Sequence, residues 1–170
     1  EEKKEKSERN FKILHEIYAI KTLNVIKKLG GIYYKIGQVL ASRNDISPLI
    51  YQQKLAPLLD NVPSIPFIKI KSKINFLLDD FKIDEVAFAS ASIGQIHKGI
   101  YLNNNVILKI LYPNIENQTK ADLLVVKYWS KFAVKNLQNF IDAFAEITLN
   151  EFDFRNEANV YQLLGLKNNT

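Results

Sequence analysis

Residues 85–111, EVAFASASIGQIHKGIYLNNNVILKIL, decide the fold class, because small and β-branched residues dominate here and the helical spacing of apolar residues stops. This pattern predicts two strands, near residues 93–101 and 105–111. The asparagines at 103–105 would form the turn between them, since asparagine tolerates the left-handed backbone conformations that tight hairpins need. The segment therefore predicts a small antiparallel sheet.

Helical patterns flank this sheet on both sides. Before it, apolar residues recur three and four positions apart until Gly30–Gly31 interrupts them, and Ser47–Pro48 has the form of a helix start. The later predicted helices span about 66–80, 116–135 and 138–165. Helices on both sides of a small sheet predict an α+β fold.

The composition is that of an ordinary globular protein, with 47% hydrophobic and 24% charged residues in a chain of 170. The net charge is +5, but only three of the 23 basic residues are arginine, the side chain that reads nucleic acids by bidentate contacts, so no nucleic-acid partner is expected. The absence of cysteine excludes disulfides and thiolate metal ligands. No apolar run reaches the roughly 18 residues of a membrane span. Methionine is absent even at position 1, and we therefore expect an internal piece of a longer protein.

Lys109 is the first candidate for chemistry, because it lies in an otherwise apolar strand, NNNVILKIL (103–111). An unpaired ammonium inside a buried strand is costly, so it would need a carboxylate or an anionic ligand. In protein kinases the lysine of the V-A-I-K sequence contacts the nucleotide phosphates and pairs with a glutamate on a helix. A lysine on an edge strand that faces water explains the pattern equally well.

A second candidate stretch is YYKIGQ (33–38), in which Lys35 lies in a mostly apolar short helix. A glycine inside a helix costs about 1 kcal/mol relative to alanine, so Gly37 indicates close approach of another group to the backbone. The structural alternative is that the lysine extends to solvent from an amphipathic helix.

A third stretch, FASASIGQIH (88–97), places a run of small residues before a strand. Loops that lie over phosphates use small residues, because their backbone N–H groups must come close to the oxygens. Only Gly94 is present where a kinase loop would have three glycines. A small-residue turn packed against a helix is therefore an equally good interpretation.

The stretch NEFDFRNEAN (150–159) brings Glu151, Asp153 and Glu157 close together. On a regular helix Asp153 and Glu157 share a face, and Glu157 is a candidate partner for Lys109. The structural alternative is a solvated acidic face. The functional one is a charge network with the two lysines named above, in which each charge is tolerated because of the others.

Taken in order, five motifs resemble those of the UbiB family of atypical, protein-kinase-like proteins, which are associated with coenzyme Q biosynthesis. KIGQ (35–38) matches the K-x-G-Q motif of that family, and VLASRNDISPLIYQQKLAPLLDNVPSIPF (39–67) is similar to the stretch that follows it. ASASIGQIHKG (89–99) resembles the alanine-rich loop that replaces the glycine-rich loop of ordinary kinases. VILKILYPNI (106–115) resembles the strand with the nucleotide-contacting lysine, and EFDFRNEA (151–158) fits the E-x-D motif.

The resemblance implies a nucleotide site. Lys109 would contact the phosphates and pair with Glu157, and these two would be the catalytic residues. The methyl group of Ala91, where ordinary kinases prefer glycine, would alter how the loop meets the phosphates. The nucleotide-binding residues would be Lys109 together with Ala91, Ser92, Ile93, Gly94 and Gln95.

The resemblance also implies a regulatory contact between the K-x-G-Q and E-x-D motifs. Lys35, in one motif with Gly37 and Gln38, would pair with Glu151 or Asp153 across the pocket. This helical segment would thereby cover the space in which a peptide substrate would otherwise sit.

The implied architecture is a helical extension, residues 1–83, packed on a kinase-like N-lobe, residues 84–170, with the C-terminal lobe absent. The complete protein would be an atypical kinase or ATPase that binds ATP and Mg²⁺, with the metal ligands on that missing lobe and none here. This piece alone would be inactive. The alternative is a non-catalytic, pseudokinase-like scaffold that binds a protein or lipid.

The implied role is in coenzyme Q biosynthesis or related isoprenoid-lipid metabolism. Besides the nucleotide, the expected partners are an isoprenoid lipid or membrane surface and biosynthetic partner proteins. By analogy with the family, the location would be the mitochondrion, the plastid or the surface of a bacterial inner membrane.

Overall fold

The computed structural model describes residues 2–75, 81–132 and 137–155. Its contacts divide the chain into two compact units, Glu1–Pro113 and Asn114–Thr170, which we call the first and the second unit. Helices and a small antiparallel sheet are both present, and the predicted α+β class is confirmed.

The first unit begins with five helices. Their bounds are α1 Glu2–Leu29, α2 Ile32–Ser42, α3 Leu49–Leu55, α4 Pro57–Asp60 and α5 Phe67–Ile74. Gly30 and Gly31 separate α1 from α2 with φ values of 70° and 50°, a backbone region that other residues rarely adopt. The first four helices enclose one apolar cluster, whose buried members are Ile26, Tyr34, Ala41, Leu55 and Leu58.

The sheet of the first unit consists of β1 Phe81–Ile83, β2 Ala89–Ser90, β3 Gly94–Tyr101 and β4 Asn104–Leu111. Strand β3 lies at its centre, with β4 along one side and the two short strands along the other, all antiparallel. One face of the sheet packs on α5, in a second apolar cluster built around Ile70, Ile74 and Ile110.

The predicted hairpin is confirmed, but its turn lies earlier than the sequence suggested. Leu102 and Asn103 form the turn with φ values of 48° and 67°, whereas Asn104 and Asn105 already pair with β3. Positive φ at both central positions is what a two-residue turn of type I′ requires, and it leaves Asn104 and Asn105 to the strand.

The second unit contains α6 Ile115–Ser130 and α7 Leu137–Asn150, which pack against each other. A salt bridge of 2.8 Å between Lys127 and Asp142 joins them at the surface, and Leu123 and Phe144 are buried. The first of these helices ends five residues before the predicted position, where the Phe132 N–H bonds to the carbonyl oxygen of Trp129.

The prediction of one continuous helix over 138–165 is wrong. Helix α7 ends at Asn150, whose carbonyl oxygen accepts the Asp153 N–H at 3.2 Å in a turn. The Asp153 carboxylate then accepts the backbone N–H of Arg155 at 3.1 Å, which is how an aspartate begins a helical segment. The continuation past Arg155 lies outside the described residues.

Candidate functional site

Lys109 lies on β4 with its side chain exposed. Its cross-strand partner is Ile96, and the next pair on the same face is Lys98 with Ile107. Leu108, on the opposite face, packs towards α5. The ammonium is thus not buried in the first unit, and the desolvation cost inferred from the sequence does not apply there.

The alanine-rich loop joins β2 to β3 and is tightly closed. The Ala91 N–H donates to the Gly94 carbonyl at 2.8 Å, and the Tyr112 N–H donates to the Ile93 carbonyl at 3.0 Å. Ala91 is exposed, whereas Ser92 and Ile93 are buried. The loop therefore exposes the Ala91 methyl group, while Ser92 and Ile93 face the interior.

The structure shows why residue 94 is a glycine, which the sequence did not reveal. A Cβ atom at this position would lie 2.5 Å from the carbonyl oxygen of Ile110 on β4. Any other residue would force the two strands apart, so the glycine permits the close approach of β3 to β4 at the loop.

Gln95 is buried and its side chain is fully engaged. Its Oε1 accepts the Ile65 N–H at 2.9 Å, and its Nε2 lies 3.2 Å from the Ile65 carbonyl oxygen and 2.8 Å from His97 Nε2. His97 Nδ1 lies 2.6 Å from the Asp84 carbonyl oxygen. A neutral His97 protonated at Nδ1 satisfies every bond, because Nδ1 then donates to the carbonyl and Nε2 accepts from the amide.

Sequence reasoning named Gln95 as a nucleotide-binding residue and missed His97 altogether. Residues two apart in a strand share a face, and the residues before and between this pair, Gly94 and Ile96, are small or apolar. The signal that could have identified His97 was a pair of polar residues two positions apart in a buried strand, because buried polar groups need hydrogen-bond partners.

The K-x-G-Q residues lie on α2, within the first unit. Lys35 is half-buried, and Gly37 is buried where a Cβ atom would meet Leu58 at 2.5 Å and Ile26 at 2.9 Å. The prediction that Gly37 marks a close approach is confirmed. Gln38 Nε2 donates to the Leu58 carbonyl at 2.9 Å, which ties α2 to α4.

The E-x-D residues lie on the turn after α7. Glu151 is exposed, and Asp153 makes a two-pronged ion pair with the Arg155 guanidinium, at 2.8 and 2.9 Å. Hydrogen bonds from Arg155 lower the pKa of the Asp153 carboxyl from its usual value. Glu157 lies outside the described residues.

The family model of the ABC1 atypical kinase-like domain matches residues 64–166, which include the alanine-rich loop, Lys109 and the E-x-D turn. The chain belongs to the ABC1 atypical kinase-like family.

Curated relatives support this assignment. The "Probable protein kinase UbiB" of Shewanella sp. (strain ANA-3) is 37% identical over 118 residues, which cover 62% of this chain and 21% of that protein. The protein of the same name from Shewanella baltica (strain OS155) is 36% identical over the same share. The chain thus spans about a fifth of the length of these relatives, and it is UbiB-like over that portion.

A solved structure supports the fold. The complex structure of Rv3197-erythromycin from Mycobacterium tuberculosis matches 99% of this chain and 46% of its own, with a TM-score of 0.50 and 22% sequence identity. At this identity the likeness concerns the kinase-like fold alone.

Besides the ABC1 motifs, the first unit carries an open groove of about 810 Å³ between the helices and β2. Lys27 and Asp60 line it on the helical side, and Phe88 and Ser90 on the strand side. Neither Lys35 nor Lys109 lines this groove.

Lys109 and Lys35 belong to the first unit, and their predicted partners Glu157, Glu151 and Asp153 belong to the second. Both pairings therefore stay predictions of the UbiB resemblance. Across the described ranges, no helix is both long enough and apolar enough to cross a membrane. The same ranges bring no three histidine or acidic side chains together as a group that could hold a metal ion.

Proposed function

We propose that this chain is the ATP-binding portion of a UbiB-type atypical kinase or ATPase, which supports coenzyme Q biosynthesis or related isoprenoid-lipid metabolism. The observation that carries the proposal is the placement of Lys109 relative to the alanine-rich loop. Lys109 pairs with Ile96, two residues after the loop ends at Gly94, so the two features lie about 7 Å apart along β3.

This spacing suits a polyphosphate. Small residues let a loop backbone come close to phosphate oxygens, and a lysine ammonium is a mobile point charge for the same oxygens. Ile107, on the same face, is 57% exposed and places an apolar side chain near this lysine.

In the complete protein, we propose that Lys109 contacts the nucleotide phosphates and pairs with Glu157. We assign to Lys35 a pairing with Glu151 or Asp153. Magnesium would neutralise phosphate charge when bound with ATP. As the resemblance implies, the proposal places the magnesium ligands on the C-terminal lobe of the complete protein.

Titration of the complete protein with ATP tests this function. Lys109→Ala removes a charge-assisted bond worth about 1.5–3 kcal/mol, so we expect the affinity to fall about tenfold or more. Lys98→Ala is the matched control, because Lys98 is exposed on the same face and its ammonium lies 4.1 Å from the ring centre of Phe88. Equal ATP affinity in the wild type and Lys109→Ala would refute the site.

A non-catalytic scaffold is the second candidate, and one observation favours it. The end of α6 exposes three aromatic side chains in mutual contact, Tyr128, Trp129 and Phe132, which are 57%, 65% and 71% exposed. Exposed aromatic clusters mark interaction sites. ATP-dependent phosphate release by the complete protein would favour the enzyme, and its absence together with tight partner binding would favour the scaffold.

A further inference from the structure

Two side chains flank the alanine-rich loop, and both bond to the same segment, residues 61–66, which we call the connector. Ser90, just before the loop, donates its hydroxyl to the Val62 carbonyl. Gln95, just after it, bonds to both the N–H and the carbonyl of Ile65. Both exits of the loop are thus fixed to the connector.

The connector depends on these side chains. Pro63 and Pro66 have no N–H group, so the connector is poorly suited to join the sheet as a strand. The Gln95 amide takes the place of a strand partner, since it offers one acceptor and one donor to a single residue. It is 1% exposed and supported from behind by His97, so loosening it would leave buried polar groups unpaired.

The connector leads directly back to the K-x-G-Q helix. It follows α4, in which the Leu58 carbonyl accepts the Gln38 amide and the Leu58 side chain contacts Gly37. The K-x-G-Q helix, α4, the connector and the alanine-rich loop are therefore linked by specific side-chain to backbone contacts within the first unit.

We propose that Ser90 and Gln95 are positioning residues that couple the alanine-rich loop to the K-x-G-Q helix through the connector. Nucleotide binding at the loop and the position of α2 then depend on each other, because a coupling free energy acts equally in both directions. This inference rests on the proposed function, since it assumes that the loop contacts a nucleotide. It goes beyond that function by giving Gln95 a partner other than the nucleotide.

The test uses the complete protein and the ATP affinities of four forms: wild type, Gln95→Met, Ser90→Ala and Gln53→Met. Methionine matches glutamine in length but forms none of its bonds. We expect Gln95→Met to weaken ATP binding about fivefold or more and Ser90→Ala to weaken it less, because it removes a single bond. Gln53→Met, at an exposed site on α3, should bind as the wild type does.

Hydrogen exchange at the Ile65 amide separates coupling from mere structural support. In the wild type, ATP should slow this exchange, because the loop and the connector become ordered together. A structural role alone would slow exchange at Ile65 no more than at other buried amides of the first unit, because ATP binding also slows exchange through global stability. Loss of the ATP effect in Ser90→Ala would support the coupling even if Gln95→Met fails to fold.

The outcomes distinguish this inference from the proposed function. If Lys109→Ala weakens ATP binding about tenfold or more while Gln95→Met and Ser90→Ala bind as the wild type does, the function stands and the coupling is refuted. Tighter ATP binding by Gln95→Met also refutes it, since the connector would then hold the loop away from the nucleotide. A wild-type protein that does not bind ATP overturns both.

Discussion

The alanine-rich loop and the E-x-D turn are both short motifs of the same family, yet they are held in different ways. The loop is fixed by contacts with residues far away in the sequence, such as Ile65 and Tyr112. Asp153 of the E-x-D turn is instead held by a local pair with Arg155, two residues away. The loop thus belongs to the folded core of its unit, whereas Asp153 is paired locally near the surface.

The largest expected effect on stability is at the loop, from Gly94→Ala. The added methyl group would meet the Ile110 carbonyl oxygen at 2.5 Å, and the backbone cannot move away without breaking the pairing of β3 with β4. Overpacking of this kind costs about 1–3 kcal/mol, and we expect the upper half of that range in urea unfolding of the complete protein.

Ala91→Gly is the control for Gly94→Ala, because Ala91 is exposed in the same loop. Its effect should stay below about 1 kcal/mol. Equal losses in the two variants would show that the loop is no better fixed than the E-x-D turn.

A smaller effect is expected at alkaline pH from Tyr112, which follows β4 and bonds to the loop through its backbone. Burial, together with the nearby Tyr34, raises the pKa of Tyr112 to about 12 from 10.0. Because this pKa is raised in the folded protein, the contribution to stability is complete below pH 10 and is lost as the pH rises through 12. As the pH is raised from 9 to 11.5, the free energy of unfolding of Tyr112→Phe, measured in urea, should therefore fall less than that of the wild type.

The Tyr112 hydroxyl is buried and has no hydrogen-bond partner among the described residues, so its removal should cost little at neutral pH. An identical alkaline loss in wild type and Tyr112→Phe would contradict the burial of this ring beside the loop.

The smallest effect is expected at the E-x-D turn, from Arg155→Ala. The variant should raise the pKa of Asp153 towards its usual value, measured by NMR titration of the carboxyl, because Arg155 is the main cause of its lowering. A carboxyl whose pKa is lowered by folding stabilises the protein at pH values above its pKa in the unfolded state. This contribution is lost as the pH falls through its pKa in the folded state.

Since both side chains of the Asp153–Arg155 pair are exposed, we expect no resolvable change in the urea midpoint of Arg155→Ala at pH 7. Lys120→Ala, which removes the exposed pair with Glu116 on α6, is the matched control. A clear loss of stability in Arg155→Ala alone would mean that the turn is anchored as firmly as the loop.

The same contrast explains what could be predicted from the sequence. Strands β3 and β4 were found because eight residues of small and β-branched character make a clear pattern. Strands β1 and β2 were missed because they have three and two residues and are strands only through their pairing with β3. The helix over 138–165 was overextended, because the apolar spacing continues through 150–153, where the Asp153 side chain favours a turn.

The candidate site was predictable only where its contacts are local or where the residue type carries the information. Gly37 indicated a close approach, which Leu58 and Ile26 provide. The partner of the Gln95 side chain could not be predicted from the sequence, because Ile65 lies 30 residues earlier and bonds only through its backbone N–H and carbonyl groups. No pattern of side chains encodes a contact of that kind.

The most direct test of the central claim, that a nucleotide lies against the Lys109 face of the sheet, is the rate of lysine acylation in the complete protein, followed by mass spectrometry. At ATP concentrations of ten times its Kd, occupancy should slow the modification of Lys109 about tenfold, and that of Lys98 on the same face far less. Unchanged modification of Lys109, or equal protection of both lysines, would contradict the claim.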